Sequence, residues 1–301
     1  MSSTEEQTYQ ARYRWLPVWN VAWRTVRCLL IAYVAIVILL LVFERRLVYP
    51  QESWDPKIGF GDDRSLEEVA ITAPDGVKLH ALYHQQTSPR VVILYLHGNG
   101  GNIGHRAGLL HFLSTKYQAS VLGLSYRGYG KSEGHPTEDG LYLDAQAALD
   151  YLLSREQVGV NRVLIISRSL GAAVGLKIAI DNSIPAICIE STFTSLPDVA
   201  ASQYPWIPVR LLMRNRYPSL TRIPKYHGRL LQSHGDADEL IPPSMAQQLY
   251  AAARCDKEFC LIPGGTHNSP QNDRYYTLLE QLISQCYDQP PEDARPSQDA
   301  P

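Results

Sequence analysis

Apolar positions fall into two patterns along the 301-residue chain. Near the N-terminus they form one block, Cys28–Phe43, 16 residues without a charge and rich in Leu, Ile, Val and Ala. Further on they come as short runs between polar, glycine-bearing turns. Val91–Leu96, Ser120–Ser125, Arg162–Ile166, Pro185–Glu190, Arg229–Ser233 and Lys257–Ile262 read as strands, several of them apolar on both alternating sets as a doubly covered strand is. Glu67–Thr72 and Val77–His84 flank the turn Pro74-Asp75-Gly76 and read as a hairpin. Between the strands the period lengthens. Within Thr137–Arg155, Leu141, Ala145, Ala148, Leu149 and Leu152 share one helical face. Further helices are predicted up to about Tyr117, over 172–180, over Ser244–Ala253 and over Asp273–Cys286. A hairpin followed by alternating strands and helices predicts an α/β fold, a mostly parallel sheet with helices on both faces. Ligands of such sheets bind beyond the carboxyl ends of the strands.

The N-terminal block is predicted to be a transmembrane anchor. As a helix its 16 residues reach roughly 24 Å, against a hydrocarbon core of about 30 Å. Trp15, Trp19 and Trp23 recur every four residues and suit the interface, and Arg24, Arg27, Arg45 and Arg46 can snorkel to make up the length. A buried core helix or a cleaved signal peptide are the alternatives. The run ends in Phe43-Glu44-Arg45-Arg46, which lacks the small residues of a cleavage site. Arg12, Arg14, Arg24 and Arg27 precede the span and only Arg45 and Arg46 follow closely, so the positive-inside rule predicts a cytoplasmic N-terminus and a domain on the far side. The expected organisation is an N-terminal segment 1–27, polar and irregular over 1–14, an anchor 28–43, a catalytic domain 44–287 and a disordered Pro/Asp/Gln/Ala-rich tail 288–301.

Composition narrows the classes. A net charge of −2, with no basic stripe beyond the N-terminal region, gives no reason to expect nucleic-acid binding. Five cysteines in no regular spacing suggest neither a disulfide framework nor a zinc site, and Cys188 in an apolar run reads as a buried small hydrophobe. Gly130-Lys131-Ser132 resembles the end of a phosphate-binding loop, but Ser125 stands where that loop needs glycine. His80 and His84 share a strand face without a third ligand, so no metal is expected, and no cofactor is implied.

The chemistry concentrates in three loops, each directly after a strand. Ser167-Arg168-Ser169-Leu170-Gly171 joins an apolar strand to a helix. Such a sharp turn holds the serine hydroxyl above the sheet edge, with the next N–H at a helix start where it can stabilise an oxyanion. The usual elbow is G-x-S-x-G, and Ser167 replaces its first glycine. A nucleophilic serine needs a base, and the base an orienting acid. Pro263-Gly264-Gly265-Thr266-His267-Asn268 supplies the base, His267. Ser233-His234-Gly235-Asp236-Ala237-Asp238 supplies two acids, Asp238, which is preferred, and Asp236, expected to support the loop. A second oxyanion N–H is expected from His97-Gly98-Asn99-Gly100-Gly101-Asn102, that of Asn99 or, next, Gly100, paired with that of Leu170.

Taken as a set, HGNGGN, SYRGYGKSEG, SRSLG, ESTFTS, HGDADELIP and GGTHN resemble the α/β-hydrolase superfamily, and more narrowly the membrane-anchored serine hydrolases of its α/β-hydrolase-domain-containing group. The likeness runs from about Phe43 to Cys286. It implies a Ser169–Asp238–His267 triad, and, since some members remove fatty acyl chains from protein cysteines, a lipidated or lipid-like substrate. The expected activity is cleavage of an ester or thioester through an acyl-enzyme. A peptidase of the same fold, separable by comparing ester with anilide turnover, and a catalytically inactive tethered interaction protein are the alternatives. The insertion 193–226 is either a short cap, with Trp206, Leu212 and Met213 facing an acyl chain, or a cover for the core.

Overall fold

The computed structural model describes residues 3–55 and 65–288, with side chains from residue 19 onward. The apolar block lies inside one long helix, α1 (Ser3–Val48). Its stretch Trp19–Val48 is long and apolar enough to cross a membrane, and Trp19, Trp23, Leu29 and Leu39 are exposed along it. The polar segment 3–14, expected to be irregular, continues the same helix. Trp15 lies outside the described side chains, and the tail after Asp288 outside the described residues.

The domain from Arg46 is a separate unit. Its elements are β1 (Leu66–Thr72), β2 (Lys78–His84), β3 (Val91–Leu96), α2 (Ala107–Tyr117), β4 (Ala119–Ser125), α3 (Glu138–Glu156), β5 (Val163–Arg168) and α4 (Leu170–Asp181). They continue with β6 (Ala186–Glu190), α5 (Leu196–Gln203), α6 (Val209–Leu212), α7 (Ser219–Arg222), β7 (Arg229–Gly235), α8 (Pro243–Ala252), β8 (Lys257–Ile262) and α9 (Asp273–Tyr287). Among the described residues the strands form one sheet in the order β1-β2-β4-β3-β5-β6-β7-β8. The β1–β2 and β2–β4 pairs are antiparallel and the rest parallel.

Alternation along the central strands explains the layering. Val92, Leu94 and Leu96 join one buried cluster with residues of α3, α4 and α8. Val91, Ile93 and Tyr95 join another with residues of α2 and α9. With helices on both faces, every side chain of β3 is buried, which is why that strand reads as a continuous apolar run. Helices α3 and α9 start on side-chain caps: Thr137 accepts the N–H of Gly140 at 3.0 Å and Asn272 that of Tyr275 at 3.0 Å. The sequence reading ends β5 at Ile166, but the strand continues through Ser167 and Arg168, which pair with Ile189 and Glu190. A neighbouring strand satisfies their backbone whatever the side chain.

The insertion 193–226 contains α5, α6 and α7. Ile207, Val209, Tyr217, Ile223 and Tyr226 are buried on its inner side, whereas Trp206 and Leu211 are exposed. The Tyr49 hydroxyl lies 2.7 Å from that of Tyr217 and 2.7 Å from Asn215 Oδ1, pinning the insertion to the start of the domain. Its inner face covers the core.

Candidate active site

Strand β5 runs straight into α4, and the change of direction falls on one residue. Ser169 takes φ 53° and ψ −118°, a conformation that costs a non-glycine residue about 1–3 kcal/mol and persists only where its surroundings hold it. Gly171 is one such restraint: a Cβ there would lie 2.4 Å from the carbonyl oxygens of both Leu96 and His97. The Ser169 N–H also donates to the Glu190 carbonyl at 2.8 Å. Ser167 fits where the usual elbow has glycine. Its hydroxyl donates to the Cys188 carbonyl at 2.9 Å, and Gly175 of α4 leaves room for it, since a Cβ at 175 would lie 2.9 Å from the Ser167 Oγ. Cys188 itself is fully buried.

The loops after β7 and β8 bring the other members to this serine. His267 Nε2 stands 3.1 Å from Ser169 Oγ and Nδ1 stands 2.8 Å from Asp238 Oδ2. The second Asp238 oxygen accepts the N–H groups of Leu240 at 3.0 Å and Ile241 at 2.9 Å. Burial acts to raise the Asp238 carboxyl, but hydrogen bonds from His267 and Ile241 and the nearby imidazoles outweigh it and hold it below the ordinary carboxylate range. An ionised Asp238 only accepts, so Nδ1 of His267 carries the hydrogen and Nε2 accepts from the serine hydroxyl. Asp236 faces elsewhere, accepting the Gly264 N–H at 2.6 Å, and so braces the glycine turn that precedes His267.

His234, four residues before Asp238, donates from Nε2 to the Ile241 carbonyl at 2.9 Å and lies 3.4 Å from Asp238 Oδ2. Burial is the main influence on it and pushes its imidazole down, toward the neutral form. A cleft of about 330 Å³ opens over Ser169 and His267, walled by the 98–101 backbone, Arg168 and Leu240. Asn99 and Gly100 both border it, and among the described residues the N–H groups of Asn99, Gly100 and Leu170 donate to no protein acceptor. The Asn99 side chain is itself held, donating to the Val48 carbonyl at 3.1 Å. A Cβ on Gly98 would press on the Ser169 Cβ at 3.3 Å.

Trp206, Leu212 and Met213, expected from the sequence to face the substrate, do not border this cleft. Met213 packs against the large core cluster and Trp206 is exposed. The chain's course over 193–226 carries them away from the mouth, and Leu240, from the acid's own loop, takes the apolar position instead. Sequence reasoning also passed over Arg168. Its guanidinium donates to the carbonyls of His267 at 2.6 Å and Ser269 at 3.1 Å and faces Glu190 at 3.8 Å, so the strand that leads to Ser169 fastens the loop that carries His267. A charged residue closing an apolar strand was the available signal. The His80–His84 pair is otherwise engaged: His80 meets Glu68 at 3.2 Å and His84 meets Ser114 at 2.8 Å. No group of three metal-ligating side chains occurs among the described residues.

The comparisons with known proteins agree with this architecture. Residues 91–212 match the family model of the alpha/beta hydrolase fold. The chain is 36% identical over 238 residues to an uncharacterized protein of Mycobacterium tuberculosis, covering 76% of this chain and 82% of that one. It is 33% identical over 223 residues to the alpha/beta hydrolase domain-containing protein WAV2 of Arabidopsis thaliana, covering 67% and 72% respectively. Among solved structures, the Pyrococcus furiosus esterase Pf2001 superposes with a TM-score of 0.63 at 18% identity, over 79% of this chain and 96% of that one. Sheet order, serine elbow and relatives together make this chain a member of the α/β-hydrolase superfamily.

Proposed function

We propose that this protein is a membrane-anchored serine hydrolase that cleaves an ester or thioester of an acyl group, on a lipid-like or acylated-protein substrate. The observation that carries the reading is the continuous relay from Asp238 through His267 to Ser169, at 2.8 and 3.1 Å. In the first step His267 Nε2 takes the serine proton as Oγ attacks the carbonyl carbon. Asp238 keeps the imidazole in the right tautomer and stabilises the imidazolium. The N–H groups of Leu170 and of Asn99 or Gly100 receive the oxyanion. The imidazolium then protonates the leaving oxygen or sulfur as the acyl-enzyme forms. In the second step water, deprotonated by His267, releases the acid and restores the serine.

Trp19–Val48 would hold the domain at the bilayer. The arginine bias across the span supports a cytoplasmic N-terminus and a catalytic domain on the other side. Labelling of the full chain in detergent by a fluorophosphonate probe tests the chemistry. Wild-type protein is expected to label and Ser169→Ala to be silent. A wild type that stays unlabelled, or an alanine variant that labels equally, overturns the reading.

A further inference from the structure

The cleft above Ser169 is not the greasy slot that a bare hydrocarbon chain would fill. Apart from the 98–101 backbone, its walls carry Glu52, His105, Arg106 and Arg168, and Leu240 is its one apolar side chain among the described residues. These charged groups differ in whether they are already satisfied. Arg168 spends its hydrogen bonds on the carbonyls of His267 and Ser269. Glu52 meets His105: Nδ1 of that ring accepts the Asn102 N–H at 3.1 Å, so Nε2 carries the hydrogen and faces the Glu52 carboxylate at 3.3 Å. Arg106 has no such partner. It is half-buried at the end of the turn Ile103–Arg106, and among the described residues its guanidinium makes no hydrogen bond or ion pair. A guanidinium drawn partly out of water and left unpaired favours an incoming anion.

The backbone points the same way. An oxyanion takes two donors, the Leu170 N–H and one more from the loop. The loop offers three, since the N–H groups of Asn99, Gly100 and Gly101 all lack an acceptor among the described residues. Nothing lies within 4 Å of where a Gly100 Cβ would stand, so the space over the loop is open. Spare N–H groups and an unpaired guanidinium on one cleft wall make a cradle for a second negative charge. The Arg106 charge is felt nearby: burial first, then that guanidinium, push the His97 imidazole down to about 4 against its hydrogen bond to Gly98.

We propose that the ester accepted by this site carries its own anionic group, a phosphate or a carboxylate, held by Arg106 and the spare loop N–H beside the reacting carbonyl. The inference rests on the hydrolase reading above and gives it a substrate class: monoacyl esters of a phosphate-bearing alcohol, or half-esters of a dicarboxylic acid. No step beyond acyl transfer is added, because the anion is bound and not transformed.

The test is a pair of matched comparisons on the full chain in detergent. One sets a monoacylglycerol against the monoacylglycerol phosphate with the same acyl chain. The other sets p-nitrophenyl hexanoate against the mono-p-nitrophenyl ester of adipic acid. The wild type is expected to favour the anionic member of at least one pair in kcat/KM, and the pair showing the preference says whether the cradle takes phosphate or carboxylate. Arg106→Gln is expected to shrink that preference about 10- to 100-fold, through KM, and Arg106→Lys to restore part of it. Thermal melting of each variant confirms that it is folded. Labelling by fluorophosphonate with no anionic preference, or a preference that survives Arg106→Gln, overturns the inference alone. Neither labelling nor turnover of any ester removes the hydrolase reading, and the inference with it.

Discussion

Two aspartates with side chains wholly removed from water do opposite work in this domain. Asp144 of α3 is saturated. One oxygen accepts Nε and Nη2 of Arg127 at 2.9 and 2.7 Å, the other accepts the Arg127 N–H at 2.8 Å, and the remaining Arg127 nitrogen reaches Asp75 at 2.7 Å. A permanent cation closes that site on every side and fastens the loop after β4 to the helix behind it. Asp238 receives two backbone N–H groups on one oxygen but an imidazole on the other, and that imidazole is partly exposed and faces the Ser169 hydroxyl. Burial makes both carboxylates dependent on their partners. The partner's identity decides whether the dependence becomes rigidity or reactivity.

The comparison can be broken at either pole. The largest expected effect is Asp238→Asn, which leaves an acceptor for Leu240 and Ile241 but presents His267 with the wrong hydrogen-bond pattern. Ester turnover should fall about 10⁴-fold, measured as kcat on an activated ester, and a small loss would mean that Asp238 is merely structural. Arg127→Ala attacks the other pole. It strands Asp144 and should destabilise the domain by about 3–5 kcal/mol, read from urea unfolding. A change below 1 kcal/mol, an order-of-magnitude bound for a solvent-exposed pair, would show that water reaches Asp144.

His97 lies between the two regions, its ring packed on Tyr126 at 4.8 Å and Tyr129 at 5.6 Å, on either side of Arg127 in sequence, and its backbone adjoining the 98–101 loop. Its ordinary value of 6.5 is pushed down to about 4, chiefly by burial. The unfolded chain therefore takes up a proton before the folded one as pH falls. The stabilisation is complete above pH 6.5 and is lost progressively toward pH 4, by about 3 kcal/mol in all. Urea midpoints followed from pH 7.5 to 4.5 should show this slope, flattened in His97→Gln. An unaltered slope in that variant would assign the acid sensitivity to other groups. The smallest expected effect is Thr137→Ala, which removes the cap of α3 and should cost about 1 kcal/mol, visible in the same unfolding measurement without the pH dependence of His97.

Much of the architecture was legible because parallel strands buried on both faces must be apolar throughout. Val91–Leu96 is the strand β3 residue for residue, while Lys257–Ile262, also matched in full, is the edge strand β8, set off by its flanking turns. The sequence prefers Asp238 to Asp236 because it stands three residues beyond Gly235, and Asp238 is the one that lies 2.8 Å from His267. Misreadings arose where a residue's role depends on a distant partner. The continuation of β5 through Ser167 and Arg168 needs the β6 ladder beside it. The insertion reads equally as a wall for an acyl chain or as a cover for the core, because Trp206, Leu212 and Met213 are apolar and composition does not say which way a segment turns over the sheet. Arg168 and Arg106 are indistinguishable as residue types; one is committed to two carbonyls and the other is left unpaired.

What the amino-acid sequence determined by itself was local: where strands and helices form, that a serine sits at a strand-to-helix turn, and that a helix long and apolar enough to cross a membrane precedes the domain. These follow from periodicity and from the steric demands of neighbouring residues. Tertiary structure alone decided the strand order, the seat for Ser167 opposite Gly175, the enclosure of Asp144 and the exposure of Arg106 to the cleft. Each depends on groups tens of residues apart coming within a few ångströms. Only the packed sheet and its helices, which set dielectric, access and partner at every site, can specify that.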